Sequence, residues 1–325
     1  MIETILPNLF RIEVPLPRNP LRNINSYVIA SEERALVVDT GMNQPECRAA
    51  LEAGFDALGL DRTRTDFFIT HFHADHLGLV PALASESSRV FFNEPETQWV
   101  HTFTPGAFLA RLIKYGRACG FQAEGLEAAM KQHPGLRNSP PQYPEFTVLH
   151  DGDALEAGGY RFTCVSTPGH SPGHLCLYES NHRILLSGDH VLGDITPNIS
   201  ATADDNDTLG TYLASLDKVY ALEVALVLPG HRRKFSNFRE RIEELKAHHL
   251  TREEEVVRIL KTGVDTAYAV ATQMTWDFVA QSWDHFPLMQ KWFAVGEAAA
   301  HLRHLETKGV VNKTLRDGTF IYTHS

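Results

Sequence analysis

The chain has 325 residues, 43% of them apolar, with 30 Lys and Arg against 40 Asp and Glu and a formal charge of −10 at pH 7. Such a length holds two domains and a well-buried core, and such an apolar share is that of a globular protein. The acidic balance argues against non-specific binding to nucleic acid or anionic lipid, and no apolar run has the length of a membrane-spanning helix. The first residues, Met1-Ile2-Glu3-Thr4-Ile5, carry an early acid and no basic stretch, so they are expected to form a strand rather than a signal peptide. Cys47, Cys119, Cys164 and Cys176 show no CxxC pairing, which points to reduced thiols in a cytoplasmic protein.

Apolar and alternating runs predict strands at 2–6, 9–15, 24–30 and 35–39, then a helix at 45–58 with Pro45 near its first turn. Strands follow at 66–70 and 89–93. Residues 94–150 form a long insert that reads as helices at 96–120, broken at Thr104-Pro105-Gly106, and at 123–133. Trp99, Phe103, Phe108, Leu112 and Tyr115 give it an aromatic face, which either packs on the rest of the domain or caps a site. Further strands are predicted near 160–166, 174–179, 183–188 and 224–228, with a helix at 208–221. From residue 239 the pattern changes to helices at 239–261, 266–275 and 289–307. Two short strands at 310–313 and 319–322 follow, joined by Arg316-Asp317-Gly318.

The chemistry concentrates where the strand at 66–70 ends. His71-Phe72-His73-Ala74-Asp75-His76 places four metal-ligating side chains in six residues, written H-x-H-x-D-H. Neutral imidazoles with a carboxylate form a donor set that zinc and other borderline divalent ions accept. Three more candidates follow in one setting, an apolar strand ending in a Gly-containing turn. They are His170 after Thr167-Pro168-Gly169, Asp189 after Ser187-Gly188, and His231 after Pro229-Gly230. A glycine before each lets the backbone turn sharply and approach the site. Asp39-Thr40-Gly41 closes an earlier strand, and Asp39 is either a plain turn residue or a support for a ligand ring.

Taken in this order, HxHxDH, TPGH170, SGD189 and PGH231 with Asp39-Thr40-Gly41 upstream resemble the metallo-β-lactamase fold hydrolases over about residues 1–235. The resemblance implies a four-layer αββα sandwich in residues 1–238, with the ligands on loops at one edge of two sheets. It also implies two divalent metal ions, zinc foremost with iron or manganese as alternatives. His71, His73 and His170 would hold one ion, and Asp75, His76 and His231 the other, with Asp189 bridging. Asp39 would orient a ligand histidine. Asp at 189 and His at 73 resemble the glyoxalase II-like branch rather than its redox or cysteine-bearing relatives.

That branch implies a bridging hydroxide attacking a small ester or thioester, with Asp75 handling the proton. No other nucleophile stands out, since Cys164 is mid-strand and no G-x-S-x-G elbow occurs. His174, His190 and the triplet Arg232-Arg233-Lys234 are left open as structural groups or substrate contacts. Residues 239–325, three helices and a hairpin, resemble the winged-helix-like C-terminal domain of the β-lactamase-like protein 2 family. An animal member is known as an endoribonuclease, so a phosphodiesterase or ribonuclease is the alternative, beside a lactonase or a non-catalytic binding module. Residues 241–325 hold 10 Lys and Arg against 11 Asp and Glu, no basic footprint for phosphates. Packing or homodimerisation is therefore expected of this part, and a small molecule rather than nucleic acid or membrane is expected as partner.

Overall fold

The computed structural model describes residues 1–102, 104–122, 126–131, 133–138, 142–204, 206–276 and 282–325. Phe103 and parts of the expected helix at 123–133 lie outside them. Two compact units result, each assembled from separate stretches of chain. The first holds residues 1–102, 137–197 and 215–242, and the second holds 103–136, 198–214 and 243–325. The insert at 94–150 is therefore shared between them, and so is the helix that begins at residue 238.

The first unit contains two sheets. One runs β1 (Ile2–Leu6), β2 (Leu9–Pro15), β3 (Asn23–Ile29), β4 (Ala35–Val38), β5 (Thr65–Phe68), β6 (Val90–Asn93) and β7 (Thr147–Leu149) in spatial order. It is antiparallel from β1 to β4 and parallel from β4 to β7. The other contains β8 (Ala154–Ala157), β9 (Tyr160–Ser166), β10 (Leu175–Glu179), β11 (Ile184–Gly188) and β12 (Leu226–Pro229), ordered β12-β11-β10-β9-β8. The helices are α1 (Pro45–Ala57), α2 (Ala74–Leu77), α3 (Val80–Leu83), α4 (Glu94–Thr102), α5 (Pro105–Ala118), α6 (Leu126–Met130), α7 (Pro134–Arg137), α8 (Thr208–Tyr220), α9 (Phe238–Leu260), α10 (Ala267–Gln273) and α11 (Leu288–Thr307). Strands β7 and β8, three and four residues long, were too short to show a period in the sequence.

Strand residues alternate between faces, and here both faces are apolar. Ile24, Val28, Val37, Phe67 and Phe92 turn to one core, where α1 adds Cys47, Leu51 and Phe55 at helical spacing. Tyr27, Ile29, Leu36, Val38, Phe68 and Phe91 turn the other way and meet Phe162, Cys164, Leu175, Leu177, Leu186 and Leu228 of the second sheet. That second core joins sheet to sheet. On the far side of the second sheet the last turns of α8 bury Leu216 and Val219. There Ser215 Oγ donates to the Pro168 carbonyl at 2.7 Å and Lys218 Nζ to the Ser166 carbonyl at 2.9 Å. Helix, sheet, sheet and helix make the four expected layers.

The second unit is mainly helical. Within it α5 packs closely, since a Cβ on Gly116 would lie 2.8 Å from Trp292 of α11, and Phe121 meets the ring of Tyr268. Tyr115 of the insert's aromatic face meets the ring of Phe320 at 6.4 Å, so that face is used in part against the C-terminal segment. Strands β13 (Val311–Arg316) and β14 (Thr319–His324) form an antiparallel hairpin. Its turn residues Asp317 and Gly318 take φ of 49° and 80°, the left-handed pair that such a tight hairpin requires. All four cysteines are free and buried. No helix among the described residues is long and apolar enough to cross a membrane.

At the N-terminal ends of β4, β5 and β6 one buried carboxylate ties neighbours together. Asp66 accepts from Arg34 at 2.6 and 3.0 Å and from the Arg89 guanidinium at 2.5 and 2.9 Å. Burial pushes its carboxyl up, but Arg34 and Arg89 outweigh that and hold it below the usual range. Its stabilising contribution is therefore fully present above the ordinary carboxylate pKa and fades as pH falls through the lowered value. Asp66→Ala is expected to cost about 2 kcal/mol, moderated by the partial exposure of both arginines. Thermal melts should show a loss of several degrees at neutral pH that shrinks on acidification.

Candidate metal centre

Every sequence-predicted ligand lies beyond the C-terminal end of a strand, along one edge of the two sheets. His71 to His76 follow β5, His170 follows β9, Asp189 follows β11 and His231 follows β12. Backbone hydrogen bonds stitch the sheets together at this edge. Leu175 N–H donates to the Thr70 carbonyl at 2.9 Å, and Asn25 N–H to the Gly230 carbonyl at 2.7 Å. Asn25 Nδ2 and the Tyr27 hydroxyl both donate to the Pro229 carbonyl at 2.9 Å. Two glycines make the approach feasible. A Cβ on Gly188, whose φ is +48°, would lie 2.6 Å from His174 Nε2, and one on Gly230 would lie 2.7 Å from Asp189 Oδ1.

The seven side chains converge. His73 Nδ1 lies 2.9 Å from His71 Nε2 and 3.0 Å from His170 Nε2. Asp75 Oδ2 lies 3.4 Å from His231 Nε2. Asp189 stands between these groups, with Oδ1 3.6 Å from His76 Nε2 and Oδ2 3.6 and 3.5 Å from the Nε2 atoms of His170 and His231. Three overlapping sets have donor atoms within 4.8 Å of one another: His71, His73 and His170; His71, His76 and Asp189; Asp75, His76 and His231. His76 Nε2, His231 Nε2 and Asp189 Oδ1 are buried without a hydrogen bond of ordinary length. Donor atoms around one tetrahedral ion with metal–nitrogen bonds of about 2.0–2.1 Å lie roughly 3.3 Å apart, which is the spacing seen here. The residues fit divalent metal ions.

Supporting contacts fix which nitrogen of the His71, His76 and His231 rings faces inward. Asp39 combines both sequence readings: it takes φ of +58° in the turn, and its Oδ2 accepts from His76 Nδ1 at 2.8 Å. Its carboxylate also accepts from Thr70 N at 2.9 Å and from the Thr70 hydroxyl. That hydroxyl accepts from His71 Nδ1 at 3.0 Å. His231 Nδ1 donates to the Asn23 carbonyl at 2.7 Å. Carboxylate and carbonyl only accept, so these contacts settle the tautomers and leave Nε2 toward the centre.

Electrostatics sort the rings into two kinds. Burial, with the neighbouring imidazoles, pushes His71 well below its usual value and His73 down to about 3, so both are neutral ligands in waiting. Burial opposes protonation of His76 and His231 too, but Asp39 and Asp189 raise the first, and Asp189 and Asp75 raise the second. Burial pushes Asp75 and Asp189 up, yet the adjacent histidines outweigh it and keep both below the carboxylate range.

The residues left open by the sequence find structural partners. His174 is fully buried; its Nδ1 donates to the Thr167 hydroxyl at 2.8 Å, and its Nε2 accepts from Asp189 N–H at 3.2 Å. It thus positions the central carboxylate. His190 is buried, with its pKa lowered to about 3 by burial. Arg232 donates to the Pro20 carbonyl, Arg233 to Asp194 and Lys234 to Glu3, so the basic triplet is engaged within the fold. Sequence reasoning missed Thr70, Asn23 and Glu96. Glu96, fully buried in α4, accepts from Phe72 N, Ser171 Oγ and Gly173 N. Nothing in a lone glutamate of a helix announces that role.

Comparison with known proteins agrees with this geometry. Residues 19–231 match the Metallo-beta-lactamase superfamily domain. A crystal structure of a metallo-beta-lactamase family protein from Thermus thermophilus is 30% identical and superposes with a TM-score of 0.82, covering 99% of this chain and 100% of that one. Among curated relatives, the Beta-lactamase-like protein 2 homolog of Caenorhabditis elegans is 23% identical over 79% of this chain and 73% of its own. The Atrochrysone carboxyl ACP thioesterase of Emericella nidulans is 24% identical over 80% of this chain and 66% of its own. The chain thus spans just under two thirds of the length of such fungal relatives. With the domain match covering most of the chain and the ligand-bearing edge intact, the chain belongs to the metallo-β-lactamase superfamily of metal-binding hydrolases.

Proposed function

We propose that the protein holds two divalent metal ions, zinc foremost, and hydrolyses a small ester or thioester. His71, His73 and His170 would hold one ion, Asp75, His76 and His231 the other, and Asp189 would bridge them. Asp189 carries this proposal. Its two oxygens face imidazoles of both sets at 3.5–3.6 Å, the placement a shared ligand needs. When bound, such a pair supplies a water of pKa about 7 and polarises an acyl carbonyl. The chain supplies the rest. Asp75, kept ionised beside His231, turns Oδ2 to that ring and would handle the proton of the reaction. Asp39 and Asn23 hold the rings of His76 and His231 so that neither rotates away from the centre.

The acyl preference has two supports. Trp99 stacks on Phe72 at 4.0 Å, and Phe72 contacts His73 edge-on at 4.9 Å, which puts an aromatic pair beside the ligands. The fungal relative named as an acyl-carrier-protein thioesterase acts, by its name, on a thioester. We further read residues 239–325 as a packing or dimerisation element in a cytoplasmic protein that takes a small-molecule substrate.

Elemental analysis of purified protein is expected to give close to two equivalents of metal, and Asp189→Ala to lower both occupancies; full occupancy in that variant contradicts the bridge. The reaction is tested by kcat/KM on acyl thioesters, lactones, β-lactams and single-stranded RNA. Turnover of thioesters that Asp75→Ala abolishes is expected. Metal-dependent RNA cleavage that the same substitution removes, without thioester turnover, would replace the esterase by a ribonuclease.

A further inference from the structure

Glu96 is a buried acid that no step of the proposed chemistry uses. It lies in the first turn of α4, fully buried, and among the described residues its carboxylate meets three donors and no cation. Oε2 accepts from the backbone N–H of Phe72 at 3.0 Å. Oε1 accepts from Ser171 Oγ and from Gly173 N–H, both at 2.6 Å. Phe72 stands between His71 and His73, and Ser171 directly follows His170. One carboxylate therefore grips both loops that carry the three convergent imidazoles.

The grip is built on close approach. A Cβ on Gly173 would lie 2.9 Å from Glu96 Cγ and 3.0 Å from Pro95 Cβ, so only glycine fits against the helix start. Asn93, at the end of β6, donates from Nδ2 to the Gly173 carbonyl at 2.8 Å. The same peptide stretch is thus held on its N–H by Glu96 and on its carbonyl side by Asn93. Burial pushes the Glu96 carboxyl up to about 7 against the pull of its three donors. A carboxylate kept in so costly a place is a sign of a positional task, because an apolar side chain there would leave two backbone N–H groups and a hydroxyl unpaired.

We infer that Glu96 is the positioning residue for the metal ion held by His71, His73 and His170, setting the distance between their two loops through Phe72, Ser171 and Gly173. The inference rests on the assignment of those three histidines as ligands. Gln at this position keeps the size but offers one acceptor oxygen in place of two, and its amide N–H₂ faces a donor. The two loops then lose their common tie while the ligands themselves are untouched. The set of Asp75, His76 and His231 has its own supports in Asp39 and Asn23, so its ion is unaffected.

The test is a zinc titration of metal-stripped full-length protein in competition with a chelating dye, for wild type, Glu96→Gln and Ser171→Ala, with melting curves of the metal-free forms. Glu96→Gln is expected to weaken one of two zinc affinities about 10–100-fold, the effect typical of losing a ligand's support, and to leave the other unchanged. Ser171→Ala, which removes a single donor, is expected to weaken the same affinity about 5-fold and decides the matter if Glu96→Gln does not fold. Two affinities unchanged from wild type, with only the metal-free melting temperature lowered, would reduce Glu96 to a structural acid and overturn the inference alone. Wild-type protein that takes up no zinc would overturn the ligand assignment and this inference with it.

Discussion

Five imidazoles and two carboxylates stand closer together in this fold than their own electrostatics favour. His73 Nδ1 has two other imidazole nitrogens within 3.0 Å, and a single proton can satisfy only one of those contacts at a time. Asp189 faces three rings at distances longer than a good hydrogen bond. Burying such a set costs free energy unless something positively charged shares the donors. Much of the first unit follows from holding the set in place. Two sheets are stitched at one edge by backbone hydrogen bonds, and glycines sit where any side chain would collide with Asp189 or His174.

Stability and chemistry are separated along the strands. At the N-terminal ends of β4, β5 and β6, Asp66 is matched by two guanidinium groups and its charge is balanced. At the other end the carboxylates of Asp75 and Asp189 face imidazoles, whose charge depends on what else binds. Between the ends lies an apolar double core with fully buried Phe67, Phe68, Phe92 and Phe162, in which a Phe→Ala change would typically cost about 3–5 kcal/mol. A rigid middle of that kind lets loops of unfavourable composition be held in one geometry.

The convergence of the candidate ligands was legible in the sequence because metal-binding side chains tend to be closely spaced, and because three strand ends repeat the pattern of Gly followed by a candidate ligand. Most strands and helices were legible too, as in β2 and β9, whose bounds matched the apolar runs. What escaped detection has a common physical cause. Glu96 reaches Phe72 across 24 positions and Gly173 across 77, while Asn23 reaches His231 across 208. Contacts over such separations leave no period or motif, and residues such as Glu, Asn and Thr are common on surfaces. The triplet Arg232-Arg233-Lys234, left open by the sequence, has contacts within the fold to Pro20, Asp194 and Glu3. The insert's division between two units was invisible because the aromatic spacing of α5 fits packing against α11 as well as against a sheet.

A candidate ligand set fixed by strand ends says little about which substrate enters. Selectivity has to come from side chains beside the centre whose positions the metal does not dictate. Within the first unit the candidates are few. The basic triplet is engaged elsewhere, and His174 and Glu96 are buried behind the ligands. Phe72 and Trp99 differ from these, because they are only partly buried, with Phe72 meeting the candidate ligand His73 edge-on and Trp99 stacked on Phe72. A stacked aromatic pair offers area and polarisability but no fixed charge. The same helix that carries Trp99 carries Glu96 three residues earlier. One turn of α4 therefore joins the carboxylate that ties the two loops to the aromatic pair beside them.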